Sequence, residues 1–108
     1  MINVASAKLI LLKDVGQCQK NDSVRITGIW KSYNPDKQIA IIEYNDDHVE
    51  IDTSHLTSIP YFEDEVIQCV GEISNQNPTC INARFIRSMN TIDMDLYEKV
   101  IELRNKVI

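Results

Sequence analysis

Hydrophobic and polar positions between residues 23 and 89 alternate in short runs that predict five β-strands. In the first run, 23–31, Trp30 shares a face with apolar residues, whereas Arg25 and Lys31 share the opposite face. The other four runs cover residues 38–44, 48–52, 66–74 and 79–89. Turn residues separate the runs at 33–38, 45–47 and 75–78. Residues 53–64 break the alternation and are predicted to be irregular, with one short helical turn.

The number and length of these strands favour a closed barrel, because closure removes exposed sheet edges. Gly28 and Gly71 lie inside predicted strands and would permit the coiling that a small barrel needs, although a β-bulge explains them equally well. The predicted fold class is mainly β: a five-stranded OB-fold barrel with a C-terminal α-helix. The 108 residues form one domain, with a lead-in at 1–22, the barrel at 23–89 and the helix at 93–108.

The predicted C-terminal helix begins at Asp93, whose carboxylate can cap the free amides of the first turn. Ile92 and Tyr97 have the spacing of a hydrophobic staple. Apolar side chains cover about half of the helix circumference, whereas packing on one core needs an arc of only about 100°. The arc contains a leucine stripe, consisting of Leu96, Val100, Leu103 and Val107, and a tyrosine stripe, consisting of Met94, Tyr97, Ile101 and Ile108, with Arg104 between them.

Two interpretations of this wide arc are open at this point. The helix could sink wholly into its own domain, or one stripe could pack on the barrel while the other packs on a helix of a partner.

Charge and cysteine content narrow the classes of function. The formal net charge of −5 argues against a purely electrostatic nucleic-acid binder, so any contact with DNA would use a local patch or a more basic partner. Three cysteines without a CxxC motif indicate reduced thiols in a cytosolic or nuclear protein. We expect no signal peptide and no membrane span, because every apolar run is too short.

Catalytic and metal-binding patterns are missing from the sequence. No phosphate-binding glycine loop, nucleophile elbow or cysteine–histidine spacing is present. His48 lies beside Asp46, Asp47 and Glu50, but such a cluster is more typical of a solvated turn than of a metal site. We therefore predict a protein that is not an enzyme and that needs no metal or cofactor.

A surface for single-stranded nucleic acid can be proposed, because OB barrels combine a cationic groove with aromatic stacking. The candidate cations and rings are Arg25, Lys31, Tyr33, Lys37, Tyr44 and Arg84. Alternatively, the same charged residues could form an ordinary solvated face while the rings are buried. Trp30 is assigned to the core because it lies on the same face of its strand as Val24 and Ile26.

The segments SVRITGIW, VIQCVGEI and IDMDLYEKVIEL, preceded by SAKLILLKDV, resemble the Ten-one family, the smallest OB-fold subunits of the telomeric CST complex. The resemblance runs from about Ser6 to Ile108. The same architecture is similar to the smallest subunit of replication protein A, which assembles as a trimer. A free-standing OB-fold adaptor is a third alternative.

The resemblance to the Ten-one family implies a nuclear subunit at telomeres that heterodimerises with the Stn OB-fold subunit through the C-terminal helices. The larger CST subunit would be reached through that partner. The dimer would cap chromosome ends and regulate telomere replication, with weak binding of single-stranded DNA by the small subunit alone. On this basis the leucine stripe and Arg104 would bind the partner, whereas Met94, Tyr97 and Ile101 would close the barrel end.

Overall fold

The chain folds around one sheet that closes on itself. The structure, a computed structural model, describes residues 8–59, 63–76, 79–89 and 93–107. Within these ranges it contains β1 (Lys8–Leu9), a 3-10 helix (Leu12–Gln17), β2 (Ser23–Asn34), β3 (Ile39–Tyr44), β4 (Asp47–Asp52), β5 (Val66–Gln76), β6 (Thr79–Ser88) and α1 (Met94–Val107).

Strand pairing closes the barrel through the two halves of the long strand β2. Its second half pairs with β3, and its first half pairs with β5. The circuit is completed by β3 with β4, by the parallel pair β4 with β6, and by β6 with β5. Strands β2 to β6 therefore form a five-stranded barrel followed by a helix, which confirms the predicted OB-fold class.

The interior of the barrel is filled by the inward positions of every strand. Ile26, Ile42, Ile51 and Ile81 are completely shielded from solvent. Trp30 is 2% exposed, which confirms its assignment to the core. β-Branched side chains suit such positions because they pack well on a pleated surface.

The N-terminal lead-in contributes structure that the alternation pattern did not predict. Strand β1 pairs in parallel with the start of β2, along the part of β2 that β3 does not reach. The following 3-10 helix buries Leu12 and Val15 in the barrel core. The lead-in is thus an integral part of the fold, because it covers an edge and supplies core side chains.

The structure extends one predicted strand and shows the form of the irregular segment. Strand β2 continues to Asn34, beyond the predicted end, because an irregularity at Lys31 resets its register against β3. The described residues of the segment 53–64 are irregular and contain one short turn, in line with the prediction. The amide of Leu56 donates to the carbonyl of Thr53 at 2.9 Å, which makes a single turn.

Gly71 lies where the backbones of β5 and β6 approach each other closely. A β-carbon at this position would overlap the backbone carbonyl of Asn82 on β6. The β5–β6 register shifts immediately beside it, between Val70 and Gly71. The residue therefore combines close backbone packing with a β-bulge, the second of the explanations offered for a glycine in this strand.

Helix α1 starts as predicted. The Leu96 amide donates to the Asp93 carboxylate at 3.2 Å, which makes Asp93 the N-cap. The predicted staple involves Ile92, which lies outside the described residues. Among the helices in the described part of the chain, none has the length and apolar character required to cross a membrane.

Candidate partner and nucleic-acid interfaces

The two apolar stripes of α1 have opposite environments. Leu96, Val100 and Leu103 of the leucine stripe are 60%, 52% and 64% exposed, whereas Ile101 of the tyrosine stripe is 3% exposed. Arg104 is exposed, and the side chain of Val107 lies outside the described residues. The protein therefore presents a continuous apolar surface on one side of its terminal helix.

A buried polar network holds the other side of α1 against the barrel. Thr27 is 4% exposed although it points outward from β2, and its hydroxyl donates to the Tyr97 hydroxyl at 3.1 Å. The Gln68 amide donates to the Thr27 hydroxyl at 3.3 Å, and Arg87 donates to the Gln68 carbonyl oxygen at 3.0 Å. Tyr97 of the tyrosine stripe therefore contacts an outward-facing residue of β2, and closure of the barrel end by Met94, Tyr97 and Ile101 stays a prediction.

Two further polar contacts fix the ends of α1. The Tyr44 hydroxyl donates to the Asp95 carboxylate, and this bond raises the pKa of Tyr44 to about 12. The Lys13 ammonium pairs with Glu102 at 2.7 Å. Because these contacts lie near the start and the end of the helix, they set its direction across the barrel.

One groove contains two of the predicted nucleic-acid residues. Tyr33 and Lys37 line a cavity of about 490 Å³ at the turn between β2 and β3. Ile39, Ile41 and Glu50 line the same cavity, so its wall is largely apolar and carries a carboxylate. This groove suits a ring or an apolar side chain better than a phosphate.

The other four predicted residues lie elsewhere. Arg25 lies opposite Val70 of β5, and the Tyr44 hydroxyl bonds to α1. Lys31 forms an ion pair with Asp64 at 3.2 Å, and Arg84 forms one with Glu72 at 2.8 Å. Tyr33 and Lys37 share one cavity, whereas Arg84 lines two others. That all six residues line one groove for a single strand stays a prediction.

Sequence reasoning also missed a second cleft, beside β6. His55 and Asn82 line it together with Arg84. Neither His55 nor Asn82 belongs to a recognisable motif. The sequence indicated only that Asn82 and Arg84 lie on the outward face of the same strand.

The closed circuit of β2, β3, β4, β6 and β5 with an added helix defines this chain as an OB-fold binding module. The chain belongs to the family of telomere-capping CST complex subunits, whose pattern it matches over residues 3–108. It is 30% identical over 84 residues to the CST complex subunit TEN1 of Arabidopsis thaliana, a match covering 75% of this chain and 66% of that protein. Telomere capping is a non-catalytic role.

Solved structures show the same fold at lower identity. The S. pombe Stn1–Ten1 complex contains a chain with a TM-score of 0.83 and 24% identity, covering 94% of this chain and 93% of that chain. Replication protein A of U. maydis bound to single-stranded DNA gives a TM-score of 0.72 and 22% identity, covering 91% and 88%. The family match, rather than this likeness in fold, favours the telomeric alternative over the replication protein A alternative.

Proposed function

We propose that this protein is the smaller subunit of a heterodimer with an Stn-type OB-fold subunit, in which it caps chromosome ends and helps to regulate telomere replication. The observation that carries the proposal is the exposed leucine stripe on a helix of the family's fold. This chain would associate with the larger CST subunit indirectly, through the partner. The site of action would be the nucleus, at telomeres, and the subunit would have no catalytic activity.

The leucine stripe has the properties of a preformed interface. Its described members, Leu96, Val100 and Leu103, are each more than half exposed, and contiguous apolar surface of this kind marks association sites. Arg104 beside the stripe would add a polar rim, as interfaces commonly have. The polar contacts under the helix hold it in place, so a partner helix would meet a surface that needs little further ordering.

Binding of single-stranded DNA would be a shared property of the assembled complex. The formal net charge of −5 opposes phosphate binding by the isolated chain. The outer face of β3 and β4 adds Glu43, Glu50 and Asp52 to the region where OB barrels commonly hold a strand. We therefore expect weak binding by the chain alone and tighter binding by the heterodimer.

Co-purification tests the proposal directly. The tagged chain is recovered from nuclear extract, its partners are identified by mass spectrometry, and the principal complex is reconstituted and weighed by light scattering. A 1:1 complex with an Stn-type subunit is expected. A trimer of the replication protein A type, or a chain that stays monomeric at high concentration and recovers no OB-fold partner, would overturn the proposal.

A further inference from the structure

A cleft runs between the segment after β4 and the outer face of β6. We call it the β6 cleft. It consists of two adjoining cavities of about 350 Å³ each, which share His55 and Arg84. The first cavity is polar and is also lined by Asn82. The second cavity is lined in addition by Leu56, Thr57, Ser58, Phe85 and Ile86.

A β-bulge in β6 shapes this cleft. Ala83 pairs with Gly71 and Phe85 pairs with Val70, which leaves Arg84 as the extra residue between the two pairs. In a regular strand, consecutive side chains point to opposite faces. The bulge removes that alternation, so Arg84 and Phe85 both line the second cavity. A cation and an aromatic ring are thereby placed side by side.

The guanidinium of Arg84 is held in one orientation by Glu72. Its Nε and Nη2 contact Glu72 Oε1 at 2.9 and 2.8 Å, and these contacts fix the plane of the group. A guanidinium has five N–H donors, so several remain available beyond this pair. Arg84 is 51% exposed, whereas Glu72 is 19% exposed, so the cation is the member of the pair that faces the cleft.

Asn82 and His55 add two further donors. The Asn82 Oδ1 atom is shielded from solvent and lacks a hydrogen-bond partner in the described structure, so any bond from this side chain into the cleft must come from Nδ2. His55 follows a turn in which the Ser54 amide donates to the Asp52 carboxylate at 2.9 Å. The segment carrying the imidazole is therefore tied to the end of β4.

We propose that the β6 cleft binds one nucleotide of a single strand, with its phosphate in the polar cavity and its base against Phe85 and Leu56. Side chains of Arg84, Asn82 and His55 line the polar cavity together, and the adjoining cavity adds the apolar side chains of Leu56, Phe85 and Ile86. Single-strand sites combine polar contacts to the backbone with a ring on which a base can stack. This inference rests on the proposed function, in which the complex binds single-stranded DNA. The β6 cleft would be the place where this acidic subunit contacts that DNA.

The charge of the cleft predicts an unusual salt response. Glu72 offsets much of the charge of Arg84, so few counterions would be released when one phosphate is bound. The slope of log affinity against log salt should be about one or less for this contact. Stacking and hydrogen bonding would supply the remaining affinity.

The test uses the full chain and a fluorescein-labelled oligonucleotide of ten thymidines, with affinity measured by anisotropy at low and physiological salt. Asn82→Leu and Arg84→Lys should each lower the affinity about tenfold, the usual effect of losing one bond to a charged group. Lys20→Gln, at an exposed lysine outside the cleft and outside the six candidate residues, is the control and should change the affinity less than twofold. Thermal melts accompany each variant, and Asn82→Leu should melt no lower than wild type, because it removes an unpaired buried oxygen.

The outcomes separate this inference from the proposed function. If both cleft variants form the 1:1 complex and bind the oligonucleotide as wild type does, the cleft assignment fails and the proposed function stands. Binding of a phosphorylated peptide, but not of the oligonucleotide, at the same residues would also overturn it. Failure of the wild-type chain to recover an Stn-type partner would overturn the proposed function, whatever the cleft binds.

Discussion

Charge reversal on the leucine stripe should separate partner binding from folding. The double variant Val100→Asp with Leu103→Asp changes side chains that are 52% and 64% exposed in the isolated chain. Complete burial of such a side chain contributes about 1.5–3 kcal/mol, so covering the exposed fractions of both contributes about 1.7–3.5 kcal/mol. Each 1.4 kcal/mol is a factor of ten, so the variant should bind about 20- to 300-fold more weakly, before any cost of burying the carboxylates.

Titration calorimetry with the Stn-type subunit measures this loss, and circular dichroism with a thermal melt measures folding. The double variant should keep its β-rich spectrum and its melting temperature. Ile101→Ala is the matched control on the same helix, because this side chain is 3% exposed. It should lower stability by about 2–5 kcal/mol. The reasoning is refuted if the double variant destabilises the isolated chain as much as Ile101→Ala does, or if its affinity for the partner is unchanged.

Substitutions at three further positions test the fold. Gly71→Ala should destabilise the chain by about 1–3 kcal/mol in urea unfolding, because the added methyl overlaps a backbone carbonyl; an unchanged midpoint would contradict that close approach. Asp93→Ala should cost about 1 kcal/mol through loss of the N-cap, whereas Asp93→Ser should restore most of it. Since the pKa of Tyr44 is raised to about 12, its bond to Asp95 should stabilise the fold fully below pH 10 and be lost as pH rises towards 12. Tyr44→Phe should therefore melt lower at pH 8 and show a shallower decline above pH 10.

Local periodicity was sufficient to predict the helix and most of the strands. The wheel positions of Leu103 and Ile101 differ by two residues, and this offset alone places them on different sides of α1. Their exposures of 64% and 3% follow from that geometry. Alternation likewise identified Trp30 as a core residue, because each residue of a strand faces opposite to its neighbours.

Local periodicity could not show which of the predicted nucleic-acid residues lie close together. Odd or even position along a strand shows whether a side chain points into or out of the barrel. It does not show which outward side chains are neighbours, because different strands face different directions around a closed barrel. Arg25 and Arg84 both have outward parity, yet one lies opposite Val70 and the other pairs with Glu72 in a bulge. The closing pair of β2 and β5 and the bulge in β6 depend on contacts between distant segments, which no local pattern specifies.

The arrangement of the two surfaces has a consequence for assembly. Tyr97 of α1 bonds to Thr27 on β2, whereas the side chains that line the β6 cleft come from β6 and from the segment after β4. Hydrogen bonds are directional, so the contact at Tyr97 fixes the rotation of α1 more strictly than apolar packing alone would. The leucine stripe therefore has a fixed orientation before a partner binds. The leucine stripe and the β6 cleft share no lining residue, so we expect a partner at the stripe to leave the cleft residues uncovered.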